Sequence, residues 1–224
     1  MTTISHQEAK QFYDRLGIRQ DWQAFYEGPA IIDMISHGQF ASSHAVCEFG
    51  CGTAKLAQLL LSEYLPNGAT YTGLDISETM VRLATARLEA WADRASVIQT
   101  DGLPRIPASE DSIDRVISTY VLDLLSEQDI HELLGEVRRV LTKDGLFCNV
   151  GLTLGVGSVS KAVTAAWQKI NGWWPTLLGG CRPLVLTSYM DDGLWNRSYH
   201  RVICSFAICS EITVASVHHA DSLE

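Results

Sequence analysis

Lysine and arginine are scarce in this chain, 17 against 26 aspartates and glutamates, for a net charge of −9 over 224 residues. The single adjacent basic pair is Arg138 and Arg139. Phosphate backbones and anionic membrane surfaces are held by clustered cations, so this balance argues against a nucleic-acid or anionic-lipid partner. No hydrophobic run reaches the length of a membrane span. The opening segment MTTISHQEAKQFYDRLG has a polar residue every few positions and cannot serve as the apolar part of a secretory signal, so a cytoplasmic protein is expected. The six cysteines (Cys47, Cys51, Cys148, Cys181, Cys204, Cys209) form neither a CxxC pair nor a Cys/His comb. That removes support for a metal site, and they read as reduced, small apolar residues of a core. Internal repeats and low-complexity segments are absent.

What is present is an alternation of short β-like and helix-like runs. AVCEFG, TYTGLDI, ASVIQTD, DRVISTY and LFCNVGL are separated by KLAQLLLSEYL, SETMVRLATARLEAWADR and EQDIHELLGEVRRVL. Strand, helix, strand at this spacing predicts right-handed crossovers and a parallel sheet with helices on both faces. Ser77 is placed to cap the helix after the second strand, and Gly145 to close the one that begins near Glu127. Two last β-like runs, HRVICSFAI and SEITVAS, lie about two residues apart, which requires an antiparallel hairpin. Before residue 45, Ser5 with Glu8 makes a capping box for a helix that Gly17 ends. A second helical stretch is expected to break at Gly28 and Pro29. Phe12, Leu16, Trp22, Phe25 and Tyr26 on these segments are candidates to pack downward or face a ligand. The expected organisation is a helical lid over residues 1–44 and an α/β domain over 45–224, together one domain.

The stretch AVCEFGCGTAKLA places two alternate glycines directly after the first strand. In a doubly wound sheet that turn lets a ligand approach bare backbone, although a glycine pair alone can mark any tight turn. Asp75, 21 residues after Ala54 at the end of the second strand, is placed to accept bonds from both hydroxyls of a ribose, and Asp101 after the third strand to meet an adenine amine. Glu48, inside the first strand, needs a donor such as backbone N–H groups or a ligand ammonium.

EFGCGTAKL, GLDIS, QTDG, STYVLDLL and RRVLTKDGLF, in this order and spacing, resemble the class I S-adenosylmethionine-dependent methyltransferases over residues 45 to 216. The resemblance implies a Rossmann-like sheet of seven strands with an antiparallel last strand, and S-adenosylmethionine as cofactor. It implies that Glu48 orders the glycine loop and the methionine end, that Gly50, Cys51 and Gly52 line the cofactor, and that Asp75 holds the ribose. Ile76 and Met80 would flank the adenine, Asp101 and Gly102 would meet its edge, and Thr119 would offer its backbone to the methionine amine. Ala54 stands where the family often has a third glycine. QFYDRLG is similar to the Tyr-Asp element of many small-molecule members, which puts Tyr13 near the methionine carboxylate.

Methyl transfer from a sulfonium is an in-line displacement, so alignment and exclusion of water dominate, and a general base is needed only when the nucleophile must lose a proton. Tyr120, Asp123 and His200 are the candidate bases or orienting groups; Asp123 can equally cap a helix start. Trp167, Trp173, Trp174 and Trp195 could wall an apolar pocket, and Cys51 could converge with Cys181. The expected partner is a small-molecule acceptor with an O, N or S nucleophile. Two other readings are a noncatalytic cofactor-binding module and an aminopropyltransferase, which would need a second acid beside Asp123. The acceptor and the oligomeric state are left open by the sequence.

Overall fold

A computed structural model describes residues 4–17, 24–173, 180–191 and 193–218; Trp22 and Trp174 lie outside these. The expected alternation is realised. Strands β1 (Ala45–Phe49), β2 (Thr70–Asp75), β3 (Ala95–Gln99), β4 (Ile113–Thr119), β5 (Leu141–Leu152), β6 (Trp195–Ser205) and β7 (Ile208–Val217) form one sheet in the order β3-β2-β1-β4-β5-β7-β6. β1 pairs in parallel with both β2 and β4, so the chain direction across the sheet reverses between them. β7 is antiparallel to β5 and to β6. In such a sheet the crevice outside the carboxyl ends of β1 and β4 is where a ligand fits.

Helices cover both faces. On one, α2 (Ala24–His37) and α3 (Lys55–Leu59, continued by a π turn over Leu60–Tyr64) contribute Met34 and Leu60 to one core cluster with Tyr71 of β2, Cys148 and Val150 of β5 and Ile212 and Val214 of β7. On the other, α5 (Glu127–Val140) lays Leu133 and Val137 against Phe147 and Val116. α4 (Glu78–Arg87) is capped by Ser77, whose Oγ accepts from the Met80 N–H at 3.2 Å. α1 (His6–Leu16) has the expected capping box, with the Ser5 N–H donating to Glu8 Oε2 at 2.8 Å and the Glu8 N–H to Ser5 Oγ at 3.3 Å. Asp14 then ties α1 to the start of α4: its Oδ1 accepts from Ser77 Oγ at 2.6 Å and from the Thr79 N–H at 3.2 Å. α6 (Ser158–Trp173) follows β5. Among the described residues no helix is long and apolar enough to cross a membrane.

Four expectations are corrected. α2 does not break at Gly28 and Pro29. It runs through both, because Ala30, Met34 and Ile35 beyond them are buried and that packing outweighs the bond Pro29 cannot donate. Gly145 is not the cap of α5, which ends at Val140, with Leu141 already extended. Gly145 lies in the irregular start of β5, where an added Cβ would stand 2.9 Å from the Thr142 carbonyl oxygen. The last hairpin turns at Phe206 and Ala207, both at positive φ (52° and 65°), three residues earlier than the hydrophobic runs indicate. That register sets Cys204 opposite Cys209, and the two form a disulfide, so the six cysteines are not all reduced.

Ala54 holds a left-handed conformation (φ 57°, ψ 31°) and is fully buried. Glycine there would relieve about 1–2 kcal/mol of backbone strain. It would also forfeit about 0.8 kcal/mol of methyl burial, and roughly 0.5–1 kcal/mol through the freer unfolded chain. The terms nearly cancel, and Ala54→Gly is expected to leave the urea unfolding free energy within about 1 kcal/mol of wild type.

Candidate functional site

The loop after β1 is built by backbone. Gly50 (φ 79°) and Gly52 (φ 52°) turn the chain back toward β2, where the Gly50 and Cys51 N–H groups donate to the Leu74 carbonyl at 2.8 and 3.0 Å. The Gly52 N–H donates to Asp75 Oδ2 at 2.8 Å and the Ser77 N–H to Oδ1 at 2.8 Å, so one carboxylate at the end of β2 fastens both neighbouring turns. Burial raises the Asp75 carboxyl above its ordinary range against those bonds. Behind the loop, Glu48 is buried and accepts from the Tyr71 hydroxyl at 2.6 Å. Burial pushes its carboxyl up to about 8, the Tyr71 bond opposing and the nearby Asp75 charge adding.

Two cavities open at this end of the sheet and share the walls Tyr13, Gly50, Thr119 and Tyr120. The smaller, about 90 Å³, lies between α1 and the ends of β2 and β3, with Asp75, Ile76 and Gly102 on its wall. Leu74, Val121, Leu124 and Leu125 make much of its lining apolar. The larger, about 190 Å³, lies under α2, where Tyr26, Ile31, Leu56 and Leu152 face Glu48, Asp123 and Cys181.

Tyr120 stands between the two at φ 55°, a conformation that a bulky residue adopts only when its surroundings impose it. Its N–H donates to the Val150 carbonyl at 2.7 Å, and its hydroxyl bonds Ser210 Oγ at 2.8 Å. The ring meets Tyr26 edge-on at 5.9 Å between centroids. Asp123 sits in the short 3-10 turn Leu122–Leu124, fully buried, and neither of its carboxyl oxygens has a hydrogen-bond partner. Burial pushes this carboxyl up to about 7, with Arg182 and the Cys181 thiol pulling the other way. Asp123 does not cap α5; Ser126 does, accepting from the Asp129 N–H at 3.1 Å.

The structure thus gathers Tyr13, Glu48, Gly50, Cys51, Gly52, Asp75, Ile76, Gly102, Thr119, Tyr120 and Asp123 around the two cavities. Three sequence candidates are elsewhere. Met80 is buried beneath α4, Asp101 is exposed with its Oδ1 accepting from the Leu103 N–H at 3.0 Å, and neither lines a cavity. His200 is on β6, where its Nε2 is 2.9 Å from Glu211 Oε1. Among the described residues no tryptophan lines the larger cavity. Trp167 donates to the Cys181 carbonyl at 2.9 Å, Trp195 packs near Phe147, and Trp173 is exposed. Cys51 and Cys181 do converge on that cavity, and burial holds both thiols well above their ordinary range. Leu152, Lys55 and Glu27 also line it and drew no attention in the sequence; the signal available was position, since Leu152 ends β5 at the same edge as the other site residues.

A family model described as "Methyltransferase domain" matches residues 46–145. A malonyl-[acyl-carrier protein] O-methyltransferase of Laribacter hongkongensis is 30% identical over 75% of this chain and 54% of its own length. An uncharacterized methyltransferase of Geobacillus is 28% identical over 50% of this chain and 48% of its own. The chain spans about half the length of the curated relatives it matches. The crystal structure of geranyl diphosphate C-methyltransferase from Streptomyces coelicolor, holding S-adenosyl-L-homocysteine, superposes with a TM-score of 0.65 at 13% identity, over 85% of this chain and 79% of that one, a likeness of fold.

Proposed function

The chain belongs to the class I S-adenosylmethionine-dependent methyltransferase family, and from that premise we propose that it transfers a methyl group from S-adenosylmethionine to a small molecule. The observation that carries this reading is the pair of cavities that share Tyr13, Gly50, Thr119 and Tyr120, one lined largely by apolar side chains with Asp75 on its wall, the other lined by Glu27, Glu48 and Asp123 beside residues of α2. An added Cβ on Gly50 would lie 2.3 Å from Val121 Cγ2, and one on Gly102 would lie 2.5 Å from Ile76 Cδ1. At both positions a side chain would push Val121 or Ile76, each on the wall of the smaller cavity, into the ligand space, and the buried Glu48 carboxyl calls for a cationic donor, so the residues present fit this cofactor.

Asp75 would take the ribose hydroxyls, sharing its oxygens with Gly52 and Ser77. Ile76 and Gly102 would flank the adenine. Glu48 and the Thr119 backbone would hold the amino-acid end. The cofactor when bound supplies a methyl carbon on a positively charged sulfur. The chain's part is to hold the acceptor in line at near-attack distance and to keep water out. α1 and α2 would act as the lid, Tyr13 and Tyr26 closing the two cavities from above.

Calorimetric titration of the protein with S-adenosylmethionine and S-adenosylhomocysteine tests this reading. Micromolar binding is expected for both, weakened about tenfold or more in Asp75→Ala, the loss of a charge-assisted bond of about 1.5–3 kcal/mol. A folded protein that binds neither compound would sink the proposal.

A further inference from the structure

The larger cavity contains a carboxyl that the protein leaves without a well-formed hydrogen bond, with the Arg182 charge and the Cys181 thiol drawing on it. Both oxygens of Asp123 are buried without a hydrogen-bond partner, and the side chain forms part of the cavity wall. An unpaired acid at such depth costs several kcal/mol, so a fold that retains one has a use for it. Acids outnumber bases around it: Glu27 lines the same space, as does Glu48 at the end assigned to the cofactor, and Lys55 is the one basic residue that does so among those described. Arg182, next in the chain to Cys181, draws on the carboxylate only through its charge, and its guanidinium makes no hydrogen bond to it. Its Nη2 donates to the Leu125 carbonyl at 2.6 Å, its Nε is itself unsatisfied, and it does not line the cavity. The other groups against the space, Tyr13, Tyr26, Tyr120 and Cys181, are all driven toward their neutral forms, so they bring no charge of either sign. Ile31, Ile32, Leu56, Leu59 and Leu152 supply an apolar wall beside them.

We propose that the methyl acceptor is a primary or secondary amine on an apolar body, bound as its ammonium ion in this cavity, with Asp123 holding the nitrogen and receiving its proton. The inference rests on the methyl-transfer reading. An ammonium ion gives one proton to the Asp123 carboxylate and becomes the free amine. The nitrogen lone pair then forms the new bond to the methyl carbon as the carbon–sulfur bond breaks, its electron pair staying on sulfur. The methylated product leaves as an ammonium ion, and Asp123 returns its proton to solvent.

The test uses the protein saturated with S-adenosylhomocysteine and three probes with one phenyl body: phenethylamine, 4-ethylphenol and 3-phenylpropionate. The amine is expected to bind at least about tenfold more tightly than either of the others. It is also expected to yield the N-methyl product by mass spectrometry when S-adenosylmethionine is supplied. Asp123→Asn, checked for folding by its retained S-adenosylhomocysteine affinity, should abolish the amine preference while leaving 4-ethylphenol unchanged. A phenol or acid that binds as well as the amine, an amine that does not bind, or a preference that survives in Asp123→Asn would overturn the proposal. If S-adenosylhomocysteine itself fails to bind, the methyl-transfer reading falls and this inference falls with it. Cofactor binding without amine preference overturns this inference alone.

Discussion

Gly50→Ala is expected to weaken S-adenosylmethionine binding by a hundredfold or more while the protein still folds. Two effects act at this position. The backbone sits at φ 79°, where an L side chain costs about 1–2 kcal/mol. The new methyl carbon would also stand 2.3 Å from Val121 Cγ2 and 3.2 Å from its Cγ1, inside contact distance. Relief requires either Val121 or the loop to move. Val121 lines the smaller cavity, and the loop is the one whose Gly52 N–H engages Asp75, so either movement closes ligand space. Gly28→Ala is the internal control. Gly28 also lines the larger cavity, but it is helical, with no atom within 4 Å of an added Cβ, and it should bind cofactor within about twofold of wild type. Equal losses in the two variants would contradict the geometric account, as would tight binding by Gly50→Ala in calorimetry.

The contrast between Gly50 and Gly145 shows where sequence reading succeeds. Gly50 follows a five-residue β-like run and precedes a helix, so its position at a strand-to-helix turn was legible, and with it the carboxyl edge that collects Asp75, Thr119 and Tyr120. Gly145 has the same local signature after a helix. Its role is decided by β5 starting four residues earlier and pairing Leu141 with Ile113, a long-range fact. Pro29 misled for the same reason, since propensity is local and the burial of Met34 is not. Cys204 and Cys209 looked like scattered core thiols because their pairing depends on which two residues make the turn, and Phe206 and Ala207 carry none of the glycine or asparagine that marks such turns. Among the candidate residues, most of those at or just past strand ends line the two cavities, as does Tyr13 on α1. Those one turn away diverged: Met80 points into the α4 core rather than the smaller cavity, while Asp123 faces the larger one instead of capping α5.

Glu48→Gln should change stability and binding in opposite directions. In the folded protein the Glu48 carboxyl sits at about 8 against an ordinary 4.5. A folded-state value above the unfolded one means that the folded protein binds the extra proton between those limits, so the contribution is fully present below 4.5 and lost as pH rises through 8. Asp123, at about 7 against 3.8, acts in the same sense. The thermal midpoint of the free protein should therefore fall from pH 5.5 toward 8.5, each group contributing at most roughly 1.4 kcal/mol per pH unit. Glu48→Gln removes its share of that slope and should raise the midpoint at pH 8.5, since glutamine still accepts from the Tyr71 hydroxyl without having to ionise. For binding, the neutral side chain no longer pairs with the cofactor ammonium. Losing one partner of a buried charge pair costs about 3 kcal/mol or more, a factor of about a hundred in affinity. Wild-type binding should also release a proton near pH 7, as the ammonium draws the carboxyl into its ionised form, and calorimetry in buffers of different ionisation enthalpy reads that proton directly. A variant with a steeper pH slope, or one that keeps both the affinity and the released proton, would mean that the carboxyl is a packing residue with no part in holding the ligand.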